Sequence, residues 1–357
     1  TPNQYVGVTT YAGNGTAVAV SGYEFAPDFI WLKGYTDADR HGLYDTVRGV
    51  QERLQASEPD PEDTVNGVMS FDPNGFSVGN YADTNGSGRG YVGWCWKAGG
   101  KDGTNDFNID DVGYATAAAA GLNGGTITPI GASVGTHQGF SIIKYTGTGA
   151  NATVSHGLGK VPKFMIIKNL DDSSHWVVYH HSLGTGEHAL WLNELDSDQT
   201  GFDYWNGDPT STVFTLGAET HASGTNLDTK NYINYIWSDV PGLQKFGSYE
   251  GNNSTNNAYV DLGFEPAIII FKNMDGSANW MIYDNVRDKS NVTYKCLYPN
   301  LQNDENDTIT DNEIDICSTG FKVRNDDPQS GDSQTYVYAA WGYQVMNNLY
   351  GAQSNAR

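Results

Sequence analysis

Three segments of the chain share one pattern. FAPDFIWLKG (25–34), KVPKFMIIKN (160–169) and FEPAIIIFKN (264–273) each place a proline ahead of an apolar run that ends in lysine. From Pro27, Pro162 and Pro266, the lysines Lys33, Lys168 and Lys272 all follow six residues later. Eight residues past each lysine stand His41, Trp176 and Trp280, and eleven past stand Tyr44, Tyr179 and Tyr283, without a gap. GFSVG (75–79), VFTLG (213–217) and GFKVR (320–324) correspond further on, and aromatic strands close the units at Trp94, Trp237 and Trp341. Each unit opens with a strand, a Gly/Asn turn and a second strand: TYAGNGTAVAVSG (10–22), KYTGTGANATVSHG (144–157) and SYEGNNSTNNAYVDLG (248–263). Gly and Asn suit such hairpins because they tolerate positive φ. A repeat of this length means one supersecondary unit used three times. The expected division is repeat 1 over 1–100, a connector over 101–138, repeat 2 over 139–243 and repeat 3 over 244–357.

Within a unit the apolar runs are short, β-branched or aromatic, and broken every ~8–12 residues by Gly, Asn, Asp or Pro, which is the pattern of antiparallel sandwiches. The chain is therefore expected to be all-β, three tandem antiparallel sandwiches of jelly-roll or lectin-like type with little helix. The prolines open strands, where a missing N–H is tolerated. VRGVQERLQA (47–56) is expected to make a helical turn or two, and ATAAAAGLNGG (115–125) is the other helical candidate. The connector begins KDGTNDFNIDD and reads as a solvated linker, flexible or tucked.

The 42 Asp and Glu against 20 Lys and Arg give a net charge of −22, too few basic groups for a phosphate-tracking surface. Nucleic acid and anionic membrane are excluded as partners. Nine Trp, 22 Tyr and 13 Phe can still build real cores. No stretch approaches the ~18 apolar residues of a membrane helix, and TPNQYVGVTT carries no signal-peptide pattern. The sequence reads as a soluble mature chain and, lacking an initial Met, as part of a longer polypeptide. Of Cys95, Cys296 and Cys317 at most one pair can form; Cys296 and Cys317 could pair, although two buried free thiols there are expected.

The repeated lysines are expected to snorkel, with stems on the sheet and ammonium groups in water. Trp94, Trp96, Trp176, Trp237, Trp280 and Trp341 are expected to anchor the core of each sandwich. Residues that break the repeat carry more functional information. Tyr204 and Trp205 lie in the polar loop TGFDYWNGDPTST (200–212), where exposed rings could stack on a sugar; the alternative is that Trp205 caps its own sandwich. DSDQTG (196–201) spaces Asp196, Asp198 and Thr200 like ligands of a hard cation such as Ca²⁺, but Gly207 stands where a bidentate Glu belongs. DENDTITDNEID (304–315) offers Asp304, Asn306 and Asp315 without a turn glycine. No cofactor is expected beyond that weak cation pattern. Sequons at Asn14, Asn151, Asn253, Asn291 and Asn306 matter only in a glycosylating host. The chain has no G-x-S-x-G, H-E-x-x-H or C-x-x-C, and no catalytic residue is assigned.

YVGWCWKAGG (91–100), GTITP (125–129), QGFSIIKYTGTGANATVSHGLGKVPKFMIIKN (138–169), KFGSYEGNNS (245–254) and MIYDNVRD (281–288), in that order, resemble a repeat family of virion surface proteins from marine tailed bacteriophages. The resemblance implies a non-enzymatic tail-fibre or tail-spike component on the virion, recognising host glycans and contacting other virion proteins. It implies homo-oligomers, with trimers by analogy to viral fibres. A capsid decoration or tail building block without a ligand, and a polysaccharide depolymerase, are the competing readings.

Overall fold

A computed structural model describes residues 1–184, 186–218, 221–305 and 312–343. The fold is all-β, as expected, and its antiparallel sheets pair into sandwiches. Unit 1 contains β1 (Val6–Ala12), β2 (Val18–Ser21), β3 (Phe29–Gly34), β4 (Gly42–Asp45), β5 (Glu52–Gln55), β6 (Asp63–Thr64), β7 (Val68–Asp72), β8 (Gly75–Val78) and β9 (Gly90–Trp96). The connector supplies β10 (Phe107–Ile109), β11 (Val112–Tyr114) and β12 (Gly131–Gly135). Unit 2 contains β13 (Phe140–Thr146), β14 (Ala152–Ser155), β15 (Phe164–Asn169), β16 (Val177–His180), β17 (Leu190–Trp191), β18 (Val213–Leu216) and β19 (Asn231–Trp237). Unit 3 contains β20 (Gln244–Glu250), β21 (Tyr259–Asp261), β22 (Pro266–Asn273), β23 (Met281–Asp284), β24 (Ile314–Cys317), β25 (Gly320–Val323) and β26 (Thr335–Gly342).

Each unit has a large and a small sheet. The large sheets run β1-β9-β3-β4-β5-β6, β11-β10-β12-β13-β19-β15-β16-β17 and β20-β26-β22-β23; the small ones run β2-β8-β7, β14-β18 and β21-β25-β24. The repeated apolar runs are the central strands β3, β15 and β22. Their side chains alternate between two cores. Ile30 and Leu32, Met165 and Ile167, and Ile269 and Phe271 face the small sheet of their own unit. Phe29 and Trp31, Phe164 and Ile166, and Ile268 and Ile270 face the other way, into one cluster shared by all three units. A strand buried on both faces reads as a continuous apolar run, which is why these segments show no polar alternation.

The shared core corrects the expected role of the tryptophans: Trp94, Trp96, Trp176, Trp237, Trp280 and Trp341 all lie in it, between units. Strand register also corrects one equivalence. Phe29, Phe164 and Ile268 pair with Trp96, Trp237 and Trp341, so Trp96 rather than Trp94 is the counterpart of the other two. These three rings meet edge to face at centroid separations of 6.1, 5.2 and 5.6 Å and interplanar angles of 67°, 70° and 68°. The near-equal geometry marks a pseudo-threefold axis.

Around that axis the contacts run in a cycle. The equivalent side chains His41, Trp176 and Trp280 each donate to a backbone carbonyl of the next unit: Tyr298 O at 2.9 Å, Gln55 O at 2.8 Å and Trp191 O at 2.9 Å. Tyr235 Oη donates to Asp45 Oδ2 (2.7 Å) and Trp94 Nε1 to Asp284 Oδ2 (3.1 Å). At the third such position Ala339 has no donor; His180 replaces the aspartate and donates to Tyr338 O at 3.0 Å. A lost donor is thus matched by a changed acceptor, as a buried polar group requires.

The lysines are the second correction. Lys33, Lys168 and Lys272 are fully buried rather than snorkelling, because an acidic loop of the neighbouring unit closes over each strand end. Glu305 N–H donates to Tyr35 O (2.8 Å), Glu62 N–H to Leu170 O (3.0 Å) and Asp198 N–H to Met274 O (2.9 Å), two residues after each lysine. The ammonium groups bond to backbone carbonyls: Lys168 Nζ to Asn169 O at 2.7 Å, and Lys272 Nζ to Asn273 O and Leu195 O at 3.0 Å each. Burial lowers their pKa to about 8, 7 and 8, opposed by carboxylates that include Asp304, Asp60 and Asp196 of the neighbouring units.

Neither expected helix forms. Residues 47–50 turn and 52–55 are strand, because Gly49 and Gln51 both adopt positive φ and Arg48 is drawn into Asp45 and Glu62. Residues 115–125 form turns and bends. The connector is tucked against unit 2, with β12 parallel to β10 and antiparallel to β13. Cys95, Cys296 and Cys317 form no disulfide.

Candidate functional site

The loop singled out for sugar stacking lies in unit 2, but its two aromatic residues point inward. Tyr204 is 0% and Trp205 2% exposed, which corrects the expectation of a solvent-facing platform there. Trp205 packs edge to face on Tyr179 at 5.5 Å and donates Nε1–H to His188 O at 3.0 Å, so Trp205 caps its own sandwich. Tyr204 Oη accepts from Trp191 Nε1 at 3.1 Å. An indole buried this way contributes packing and cannot present a face to a ligand.

Around these buried rings is a partly exposed aromatic ledge. Of the nine tryptophans only Trp191 is not fully buried. Its ring stacks on His175 at 4.1 Å and 10°. Phe202, half-buried, touches His221 at 5.2 Å and Tyr204 at 5.6 Å, so both pairs rest on Tyr204. Asn193 Nδ2 lies 2.9 Å from His175 Nδ1, and Glu194 Oε1 lies 3.4 Å from the same nitrogen. Burial pushes the His175 imidazole below its ordinary pKa, with Glu194 pulling it back. Asp196 and Asp203 are exposed beside the ledge. Flat aromatic faces bordered by carboxylate and amide oxygens can stack on the apolar face of a sugar and bond its hydroxyls.

The ledge belongs to unit 2 alone. The counterparts of His175 are Arg40 and Asn279, and those of Trp191 are Gln55 and the buried Tyr298. A tryptophan outside the repeated positions, in LWLNE (190–194), is the sequence signal that could have found it.

The proposed cation ligands are not gathered. Asp198 Oδ2 bonds to His188 Nδ1 while its N–H clamps Met274, and burial raises its pKa against the pull of His188. Asp196 faces buried Lys272, and Thr200 is exposed at the surface. In the second loop Asp304 faces Lys33, Asp315 pairs with Arg324 at 2.8 Å, and Asn306 lies outside the described residues. Among the described residues no three His, Cys, Asp or Glu side chains converge as a metal site. Nor is any helix there long and apolar enough to cross a membrane.

No curated protein matches the chain. A family described as "Domain of unknown function (DUF7483)" matches residues 1–344, and so spans all three units and the core they share. The chain belongs to the DUF7483 family.

Proposed function

We propose that this protein is a non-enzymatic surface component of a tailed-phage virion that recognises host glycans through the ledge of unit 2. The observation that carries the reading is the Trp191–His175 stack beside Glu194, Asn193 and Phe202. The framework does not need it, since units 1 and 3 close their sandwiches without an equivalent. The triple-repeat resemblance supports the virion setting, and the acid-rich surface suits a protein displayed in saline water. Glycan arrays and adsorption to host cells test it: Trp191→Ala is expected to weaken binding about two- to tenfold, the loss of one aromatic stacking contact, with the fold unchanged. Unchanged binding in Trp191→Ala and Phe202→Ala would sink this assignment.

A second reading is favoured by the pseudo-threefold axis. One chain here presents the outline of a trimer, which suits a building block seated at a threefold position of a virion, without a ligand. Imaging of particles decides between them: regular positions on the head favour the structural role, and the tail tip favours recognition. Release of oligosaccharides from host polysaccharide would point instead to a depolymerase.

A further inference from the structure

The three junctions between units are built alike and filled differently. Register makes β1 the counterpart of β13 and β20, since Val6, Phe140 and Gln244 oppose Trp96, Trp237 and Trp341. Sequence alignment makes Val47 the counterpart of Val286, and Thr46 that of His181 and Asn285. Where unit 2 meets unit 1, β12 pairs with the outer edge of β13, Gly131–Gly135 opposite Phe140–Lys144. A Cβ at Gly131 would stand 3.0 Å from Val47 Cγ1, so β12 lies in the slot between β13 and unit 1. Where unit 2 meets unit 3, His181 Nε2 donates to Phe246 O on β20 at 3.0 Å. The adjacent Lys245 places a charge on that edge, a device that discourages further pairing.

Where unit 3 meets unit 1, no strand among the described residues fills the same slot. A groove of about 230 Å³ is lined there by Val6, Gly7, Val8, Ala267, Asn285 and Val286. In its wall Asn3 Oδ1 and Asn285 Oδ1 are buried with no hydrogen-bond partner among the described residues. Among the described residues β1 is an edge strand that pairs only with β9. Lys97 N–H donates to Tyr5 O and Gly13 N–H to Arg89 O, each at 2.8 Å, which fixes the phase of that ladder. The odd-numbered residues of β1 therefore bond to β9, and the backbone groups of Val6, Val8 and Thr10 point to the open side. The strand sequence VGVTT, buried at Val6, partly buried at Gly7–Thr9 and exposed at Thr10, carries no charge to protect its edge.

We propose that this groove is a docking site for an extended peptide segment of another polypeptide, with small uncharged side chains, added antiparallel to β1 across Val6–Thr10. Main-chain bonds to an edge strand supply affinity in such complexes, and shallow pockets for alternate side chains supply selectivity. β12, with sequence GASVG, shows in the same fold what the slot accepts. The inference is independent of the glycan reading, because the ledge lies on unit 2.

The probe is a fluorescein-labelled peptide IGASVGT, the sequence of residues 130–136, titrated against the whole chain by anisotropy with amide exchange in parallel. Saturable binding below about 1 mM is expected, with exchange at Val8 and Thr10 slowed at least about tenfold. N-methylation of the peptide residues whose N–H faces β1 is expected to abolish binding, while methylation at the alternating positions leaves it intact. Thr10→Pro, at an exposed edge position, is expected to abolish binding without lowering the melting temperature. The methylated peptides decide the question even if that variant fails to fold. No saturable binding, indifference to the parity of methylation, or protection that appears on β13 or β20 instead of β1 would each overturn the proposal.

Discussion

The buried lysines make the stability of this protein rise with pH from neutral to moderately alkaline conditions. Lys168 has its pKa lowered by burial to about 7, and Lys33 and Lys272 to about 8, from an ordinary 10.5. Between those values and 10.5 the unfolded chain holds a proton that the folded chain has released, so folding becomes more favourable as pH rises. Below the folded pKa both states are protonated, and the folded state carries the full cost of three buried ammonium groups. At about 1.4 kcal/mol per proton per pH unit, raising the pH from 7 to 9 adds about 2 kcal/mol through Lys168 and about 1.4 through each of the others, about 5 in all. The thiols of Cys95 and Cys296, whose pKa values burial raises, ionise only in the unfolded chain and take back less than about 1 kcal/mol by pH 9. The buried histidines, held below their ordinary pKa, act under pH 6.5 and stay out of the window. Urea unfolding at pH 7, 8 and 9, at constant ionic strength and followed by tryptophan fluorescence, measures the slope. Lys168→Met is expected to remove about 2 kcal/mol of the rise, and replacing all three lysines by Met to flatten it. Stability that is flat or falling over this range in the native sequence, or a slope unchanged in Lys168→Met, would refute the argument.

The axial tryptophans predict a contrast between truncation and isosteric change. Trp237→Ala empties the centre of the shared core and is expected to cost about 3–5 kcal/mol, whereas Trp237→Phe removes an indole N–H that is buried without an acceptor among the described residues and is expected to cost less than about 1.5; both are read from urea midpoints. A chain cut to residues 1–100 leaves Phe29, Trp31, Trp94 and Trp96 without the partners of units 2 and 3. It is expected to show no cooperative melting, and a sharp independent transition of that fragment would contradict the shared core.

The sequence carried the repeat and the all-β pattern because both depend on local signals: a proline at a strand start, an apolar run, a turn of Gly and Asn. What it did not carry depends on the partner of each element. Lys33, Lys168 and Lys272 looked like snorkelling residues because their own strands end in polar turns; the loops that bury them come from a different unit. Trp94 looked equivalent to Trp237 because the spacing was counted along the chain, whereas opposition to Phe29 selects Trp96. The segment 47–56 has helical composition, yet Arg48 bonds Asp45 and Glu62 and leaves β5 to pair with β4. In unit 2 the rings that stand out in the loop 200–212, Tyr204 and Trp205, face their own core, while Phe202 of that loop and Trp191 outside it keep part of their surface.

The distribution of acid follows from the same architecture. Taken along the chain, the acidic stretches 57–63, 102–111, 194–208 and 303–315 look like solvated decoration on an internal scaffold. In space 57–63, 194–208 and 303–315 each send residues across a junction. Glu62 reaches Arg48 at 2.9 Å while its N–H holds Leu170, and Glu305 reaches Arg287 at 2.8 Å while its N–H holds Tyr35. Asp198 holds Met274 and bonds His188, and Asp60, Asp196 and Asp304 set negative charge against the three buried lysines. Removing one member of such a group leaves the other charge buried and unmatched, so these positions tolerate little change. The consequence for function is a division of labour within one loop. In unit 2 the stretch from Glu194 to Asp208 supplies the clamp through Asp196 and Asp198 and then, a few residues on, brings Phe202 to the ledge around Trp191. The clamp fixes where the ledge stands relative to the axis, and the residues that follow it form a partly exposed aromatic surface that the other two units do without.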